Sequence, residues 1–168
     1  MRGACQSRGR CYSVARPDAM NCTSIMSPDP VTFRQDQTVG DAVGVLVKRR
    51  FRSVPVVDAA GKMTGQFGVH AVLHMIVPRI ATERLGLPHL PFVQDDMEDL
   101  RRRLHRFWDK PVGDYAEQDY YVVHPDTPLT KTVLSLYHTH DNLPVVDRKT
   151  GQLLGIISYW DIVQRLVS

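Results

Sequence analysis

Two side chains near the C-terminus have the type and spacing to hold a small polar ligand. Ser158 and Asp161 follow the apolar run Gly155-Ile156-Ile157 and open a stretch, about Tyr159 to Val167, with the pattern of a helix. Ser158 falls at the N-cap and Asp161 at N3, as in a capping box with Asp in place of Glu or Gln. On spacing alone the pair reads as a helix cap worth about 1 kcal/mol. The same groups can also do recognition chemistry. A helix N-terminus offers unbonded N–H groups and a partial positive charge, which suit a phosphate. A carboxylate there can accept both hydroxyls of a ribose 2′,3′-diol. In the equivalent stretch earlier in the chain, Gly68 stands where Ser158 stands and Ala71 where Asp161 stands. Neither can hold a ribose; Thr32 remains, but it would be working alone.

Other chemistries find less support. His70 and His74 are spaced i,i+4 on a helix, but two ligands with no carboxylate or thiol nearby in sequence make a poor zinc site. His138 and His140 follow a helix end, where a histidine complements the dipole. The acidic stretch Asp95–Asp99 lacks the alternating ligands and central glycine of a calcium loop. No nucleophile–base pair is visible, so we expect neither an enzyme nor a metal site. Cys5, Cys11 and Cys22 all lie near the N-terminus. They are odd in number, without histidines at zinc spacing, and read as incidental thiols of a disordered tail.

The elements that must position Ser158 and Asp161 occur twice. Val54-Pro-Val-Val-Asp58 returns as Leu143-Pro-Val-Val-Asp147, and a repeated unit argues for a repeated structure. In the first copy Met26–Phe33 ends in an extended run, and Asp36–Thr38 reads as a turn and cap. Val39, Ala42, Val43, Leu46 and Val47 then mark an amphipathic helix with a basic end at Lys48–Arg50. Val54–Val57 is a buried strand, Met63–Phe67 a second, and a helix from about Val69 to Val77 stops at Pro78. The second copy repeats this with a strand at Tyr120–Val123, a helix through Leu129, Val133, Leu136 and Tyr137, strands at Leu143–Val146 and Leu153–Ile157, and the last helix. Each unit reads β-α-β-β-α. A unit of ~60 residues is marginal alone, so we expect the two to pack sheet to sheet around one core.

Between the units, residues 78–110 form a long linker. Pro78, Pro88 and Pro91 break its first part, and a helix is expected over about 95–109. Its acids (Asp95, Asp96, Glu98, Asp99) come first and its arginines (Arg101, Arg102, Arg103, Arg106) last, which suits the dipole and i,i+4 pairing. Met97, Leu100, Leu104, Phe107 and Trp108 give it an apolar face. That face either lies on the module or a dimer contact, or docks an effector protein. The chain of 168 residues is 43% hydrophobic and 23% charged, with a formal charge of +3, ordinary globular values. Four arginines before the first acid, Asp18, supply much of the excess, so a nucleic-acid footprint is weak. No apolar run approaches the ~18 residues of a membrane helix. Residues 1–23 read as a disordered or non-native tail, with a transit peptide or a true start at Met20 left open, and the protein is expected to be cytoplasmic.

In order, the motifs Ile25-Met-Ser-Pro-Asp-Pro-Val-Thr32, Val54–Asp58, Gly65–Gly68, Val112-Gly-Asp114, Pro125–Leu129, Leu143–Asp147 and Gly155–Asp161 resemble the cystathionine-β-synthase-type (CBS) domain. Taken twice, over about 24–77 and 111–168, they resemble a tandem CBS pair, or Bateman module. The resemblance implies an α/β, pseudo-two-fold pair of CBS units with a helical linker insertion, commonly a homodimer. It also implies a regulatory module binding AMP, ADP, ATP or S-adenosylmethionine between the units. On this view Ser158 and Asp161 contact ligand, the Val122 backbone meets the adenine, and Pro144 and Val145 form an apolar wall. Arg52, equally readable as a solvated surface arginine, would reach the phosphate. The implied count is one competent nucleotide site per chain, with a degenerate first site that is empty or binds something else. The alternative is a protein-interaction or dimerisation module whose nucleotide site is vestigial.

Overall fold

The computed structural model describes residues 20–77 and 96–168. Cys5, Cys11, Pro78, Pro88, Pro91 and Asp95, on which some of these expectations rest, lie outside the described residues. In chain order the elements are β1 (Ser27–Pro28), β2 (Phe33–Arg34), α1 (Val39–Arg49), β3 (Ser53–Val57), β4 (Met63–Gly68), α2 (Val69–Ile76), α3 (Met97–His105), α4 (Leu129–Thr139), β5 (Leu143–Val146), β6 (Leu153–Ile157) and α5 (Tyr159–Val167). They form two three-stranded sheets, β2-β3-β4 and β1-β6-β5, each with helices.

Local sequence accounts for the repeated elements. The Thr38 side chain accepts the Asp41 N–H and caps α1, whose Val39, Ala42 and Leu46 turn into the core. Arg50 (φ 54°) and His140 (φ 53°) close α1 and α4 in the left-handed conformation. All residues of β3 and β5 are buried, as expected of β-branched runs covered on both faces. The hairpin turns after β3 and β5 need Gly61 (φ 77°) and Gly151 (φ 73°), a region glycine enters without steric cost. The two turns also pair with each other: the Met63 N–H donates to the Gly151 carbonyl at 3.1 Å and the Leu153 N–H to that of Gly61 at 3.2 Å.

Each unit's lead-in segment crosses to the other unit. β1 opens the first unit in sequence yet pairs with β6 of the second, Ser27 opposite Ile156. Reciprocally, Glu117, near the start of the second unit, bridges Gln66 of β4. The cores show the same exchange. Cys22 and Ile25 pack with Leu136, Leu143, Val145 and Ile157, whereas Val112 packs with Phe33, Val39, Val54 and Phe67. The single shared core expected from sequence is thus two apolar clusters tied by exchanged segments.

Three local expectations change. Of the strand expected at Tyr120–Val123, only Val123 pairs, in one parallel bridge with Val145; the residues before it carry the chain over from Glu117 on the first sheet. Cys22 is not a tail thiol. It is buried, its Sγ donates to the His124 carbonyl at 2.9 Å, and desolvation pushes its pKa up. The linker helix, expected over about 95–109, is α3, with Asp96 in a capping box with Asp99. It ends at His105 because the following turn is needed elsewhere: the carbonyls of Trp108 and Lys110 accept the Gly40 and Val39 N–H groups at the start of α1. Its helix lies on the module, where an Arg103 guanidinium N–H donates to the Ile76 carbonyl at 3.0 Å.

Candidate functional site

The strand β6 and helix α5 position Ser158 and Asp161 as their spacing required. The Ser158 Oγ accepts the Asp161 N–H at 3.3 Å. In return, Asp161 Oδ2 accepts the Ser158 N–H and O–H, both at 2.6 Å. The capping reading therefore holds, and it occupies one carboxylate oxygen. The other oxygen, Oδ1, accepts the Ser27 hydroxyl at 2.7 Å. Ser27 belongs to β1, so the second unit's carboxylate and the first unit's lead-in strand meet at one point. The backbones approach closely here, since a Cβ on Gly155 would lie 2.8 Å from the Ser27 carbonyl oxygen.

That point is on the wall of a cavity of about 450 Å³, a volume within the usual small-molecule range of ~300–1,000 Å³. Ser158, Asp161 and Arg52 line it together. Val122, Pro144 and Val145 do not line it. Pro144 and Val145 are buried within β5, and Val122 lies beside the Val123–Val145 bridge. The apolar wall comes instead from Val54 and Pro55 of β3, Pro28, Pro30 and Val31 of the first lead-in, and Tyr159 and Trp160. The physical reason is the crossing of segments: the cleft that carries the second unit's carboxylate is closed by the first unit's copy of the repeated Pro-Val-Val motif. Ser27 and Arg50, which also line the cavity, went unread. Ser27 sits within the Met26-Ser-Pro stretch, but nothing in its own neighbourhood says that it pairs across the units.

A partly buried polar cluster joins the units beside this cavity. Asp141 Oδ1 accepts the Ser53 hydroxyl at 2.6 Å and the Asn142 N–H at 2.7 Å. Asp141 Oδ2 accepts from Gln66 Nε2 at 3.3 Å. Arg52, Ser53 and Asp141 also line a second cavity of about 320 Å³, which faces Gly68, His70 and Glu117. This is the first unit's counterpart cleft. There the Val69 N–H at the start of α2 already donates to the Arg52 carbonyl at 2.9 Å. His70 does have a carboxylate nearby, contrary to its sequence context: its Nδ1 lies 2.7 Å from Glu117 Oε1. Among the described residues no set of three His, Cys, Asp or Glu is gathered to hold a metal.

A doubled α/β unit with exchanged lead-ins and a polar-mouthed cleft between its halves defines a tandem-repeat module. The CBS domain matches residues 22–78 and again 112–168, and the chain belongs to that family as a tandem pair. It is 25% identical over 150 residues to the protein MJ1426 of Methanocaldococcus jannaschii, covering 82% of this chain and 86% of that one. In fold it resembles the solved structure of CBSX2 in complex with AMP (22% identity, TM-score 0.64, 88% of this chain and 96% of the other). It also resembles that of CbpB in complex with c-di-AMP (13% identity, TM-score 0.64, 89% and 85%). At these identities the likeness to the two structures is one of fold.

Proposed function

We propose that this chain is a non-enzymatic regulatory module that binds an adenosine-containing ligand (AMP, ADP, ATP or S-adenosylmethionine) in the Asp161 cleft. The observation that carries the reading is the division of labour within one carboxylate. Asp161 uses Oδ2 to cap α5, while Oδ1 faces the cavity and meets only a surface hydroxyl, Ser27. A ribose diol can share or replace that hydroxyl without dismantling the helix cap. Arg50 and Arg52 on the same cavity supply cations for an anionic tail. The complexes of CBSX2 with AMP and of CbpB with c-di-AMP support an adenine nucleotide as the class. Because the cleft is walled by both units, a bound ligand would tie them together and bias whatever surface changes with their packing.

A thermal-shift series with AMP, ADP, ATP and S-adenosylmethionine tests the reading. A ligand at 100 times its dissociation constant adds about 2.7 kcal/mol of stability. At least one of the four should raise the midpoint in the wild type and raise it clearly less in Asp161→Ala. No shift with any of them, or an equal shift in the variant, would remove the proposal.

The second reading is a protein-interaction or dimerisation module with a vestigial site. It draws on the exposed apolar residues of α5, with Trp160, Leu166 and Val167 each about four-fifths accessible, and on the outer surface of α3. A homodimer through the former and an effector protein at 95–109 are the partners to look for. The arginines of α3 favour such a partner over nucleic acid, because Arg101 and Arg102 pair with Glu98 and Asp99. Among the described residues no helix is long and apolar enough to cross a membrane, and a cytoplasmic location goes with the proposal. If this second reading is right, removing residues 93–109 should abolish capture of the partner, and added nucleotide should change nothing.

A further inference from the structure

The charges around the Asp161 cavity are mixed in a way that an anionic tail alone does not explain. Two guanidiniums, Arg50 and Arg52, and three carboxylates, Asp29, Asp141 and Asp161, line it. Asp161 is committed to the helix cap and Ser27. The other two carboxylates stand across from the role usually given to a cation. Asp141 is held from both units, by the Ser53 hydroxyl and Gln66 of the first and by the Asn142 N–H of the second, so it cannot swing away from a ligand. Asp29 is fixed at φ 52°, and its exposed side chain has no hydrogen-bond partner among the described residues. Among those residues, too, neither Arg50 nor Arg52 is in an ion pair, so both positive groups remain available.

Resting on the reading of this cleft as an adenosine site, we infer that Asp29 and Asp141 determine its specificity, favouring an adenosyl ligand with an amino-acid tail over one with a polyphosphate tail. A tail with a carboxylate, an ammonium and a sulfonium, as in S-adenosylmethionine, can place its anion on Arg50 and Arg52 and its cations on the two aspartates. A triphosphate meets the same arginines but must approach two carboxylates, of which Asp141 is held in place by hydrogen bonds. In a partly desolvated cleft like charges are screened less than in bulk water, and repulsion of the wrong partner is an ordinary source of selectivity.

Calorimetric titration of the full chain with S-adenosylmethionine, AMP and ATP tests this. S-Adenosylmethionine should bind tightest, with ATP weaker by about tenfold or more. Asp141→Asn and Asp29→Asn should each weaken S-adenosylmethionine and strengthen ATP, narrowing that ratio. Asp29→Asn guards against misfolding, since asparagine tolerates the left-handed conformation and the residue is exposed. Wild-type protein that binds ATP or AMP as tightly as S-adenosylmethionine overturns the inference, as do variants that change all three affinities alike. If nucleotides bind and Asp161→Ala abolishes binding but no preference appears, only this inference fails. If none of the three binds, the adenosine reading fails with it.

Discussion

The two clefts of this molecule occupy equivalent places in a repeated fold, and they differ in what their packing permits. In the second unit, Ser158 and Asp161 sit half-buried at the mouth of a cavity, with Ser27 from the other unit in front of them. In the first unit the equivalent positions are sealed. A Cβ on Gly68 would stand 2.5 Å from the Arg52 carbonyl oxygen and 2.8 Å from the Ser53 Cβ. Ala71 is buried in the first unit's apolar cluster. Glu117, the counterpart of Ser27, faces His70 rather than a carboxylate. The first cleft has therefore not merely lost two polar side chains. The backbone at Arg52 and Ser53, at the start of β3, stands where a side chain on residue 68 would have to go, although a cavity of about 320 Å³ remains beside it. Degeneration of one site and tight packing of its unit are the same event seen twice.

The most severe way to break the comparison is to put the missing carboxylate back. Ala71→Asp places a carboxylate in the buried cluster that holds Val54, Phe67 and Val112, and an uncompensated buried charge costs about 3–5 kcal/mol. Urea unfolding should show a loss of that size, and calorimetry should still count one ligand per chain. A variant that is stable and binds a second ligand would show that the first cleft is empty by sequence alone and not by packing.

Next in size is the opposite change, Asp161→Ala. Hydrogen bonds to a charged group are worth about 1.5–3 kcal/mol each, so ligand affinity should fall by roughly 10- to 150-fold. Stability should fall by only about 1 kcal/mol, the value of a helix cap. The contrast with Ala71→Asp is the informative quantity: removing the carboxylate from the second unit mainly costs binding, while adding it to the first mainly costs folding. A large stability loss in Asp161→Ala, with affinity unchanged, would reduce Asp161 to a cap.

How far these differences could be read from sequence depends on their range. The helices and the paired strands after each helix follow from local signals: the i, i+3, i+4 stripe from Val39 to Val47, the β-branched run Val54–Val57, the Ser158–Asp161 spacing. Gly68 and Ala71 were legible as losses by comparison with the other copy. The sealing behind them was not, because it depends on the Arg52 carbonyl across the sheet. The wall of the cleft was misplaced for a related reason. Pro144 and Pro55 are equivalent in the repeat, and only the crossing of β1 onto β6 decides which of them faces Asp161. Cys22 was read as part of a tail because its burial comes from His124 and Thr127, some hundred residues away. The misses at the cleft wall and at Cys22 lie on the exchanged lead-in segments, whose short strands carry almost no periodicity of their own.

Gly68→Ser sharpens the comparison at lower cost. It restores the counterpart of Ser158, but its hydroxymethyl group must displace the Arg52–Ser53 backbone. Overpacking of this kind costs about 1–3 kcal/mol, and no gain in nucleotide binding should accompany it. Stabilisation by this variant, through a new cap on α2, would mean that the close approach of β3 and β4 yields easily.

The smallest effect tests the exchange itself. Ser27→Ala removes one neutral hydroxyl from an exposed position and leaves both Asp161 cap bonds in place, so stability should scarcely move. If the ligand uses Ser27 together with Asp161 Oδ1, affinity should fall by about 0.5–1.5 kcal/mol, or roughly two- to tenfold. Glu117→Ala is its counterpart across the pseudo-two-fold and should leave affinity unchanged, since that residue lines the first unit's cleft. Equal losses in both variants would mean that ligand reads the two clefts together through the shared Arg52, Ser53 and Asp141. A loss confined to Ser27→Ala ties recognition to the one point where a lead-in strand meets the carboxylate of the opposite unit.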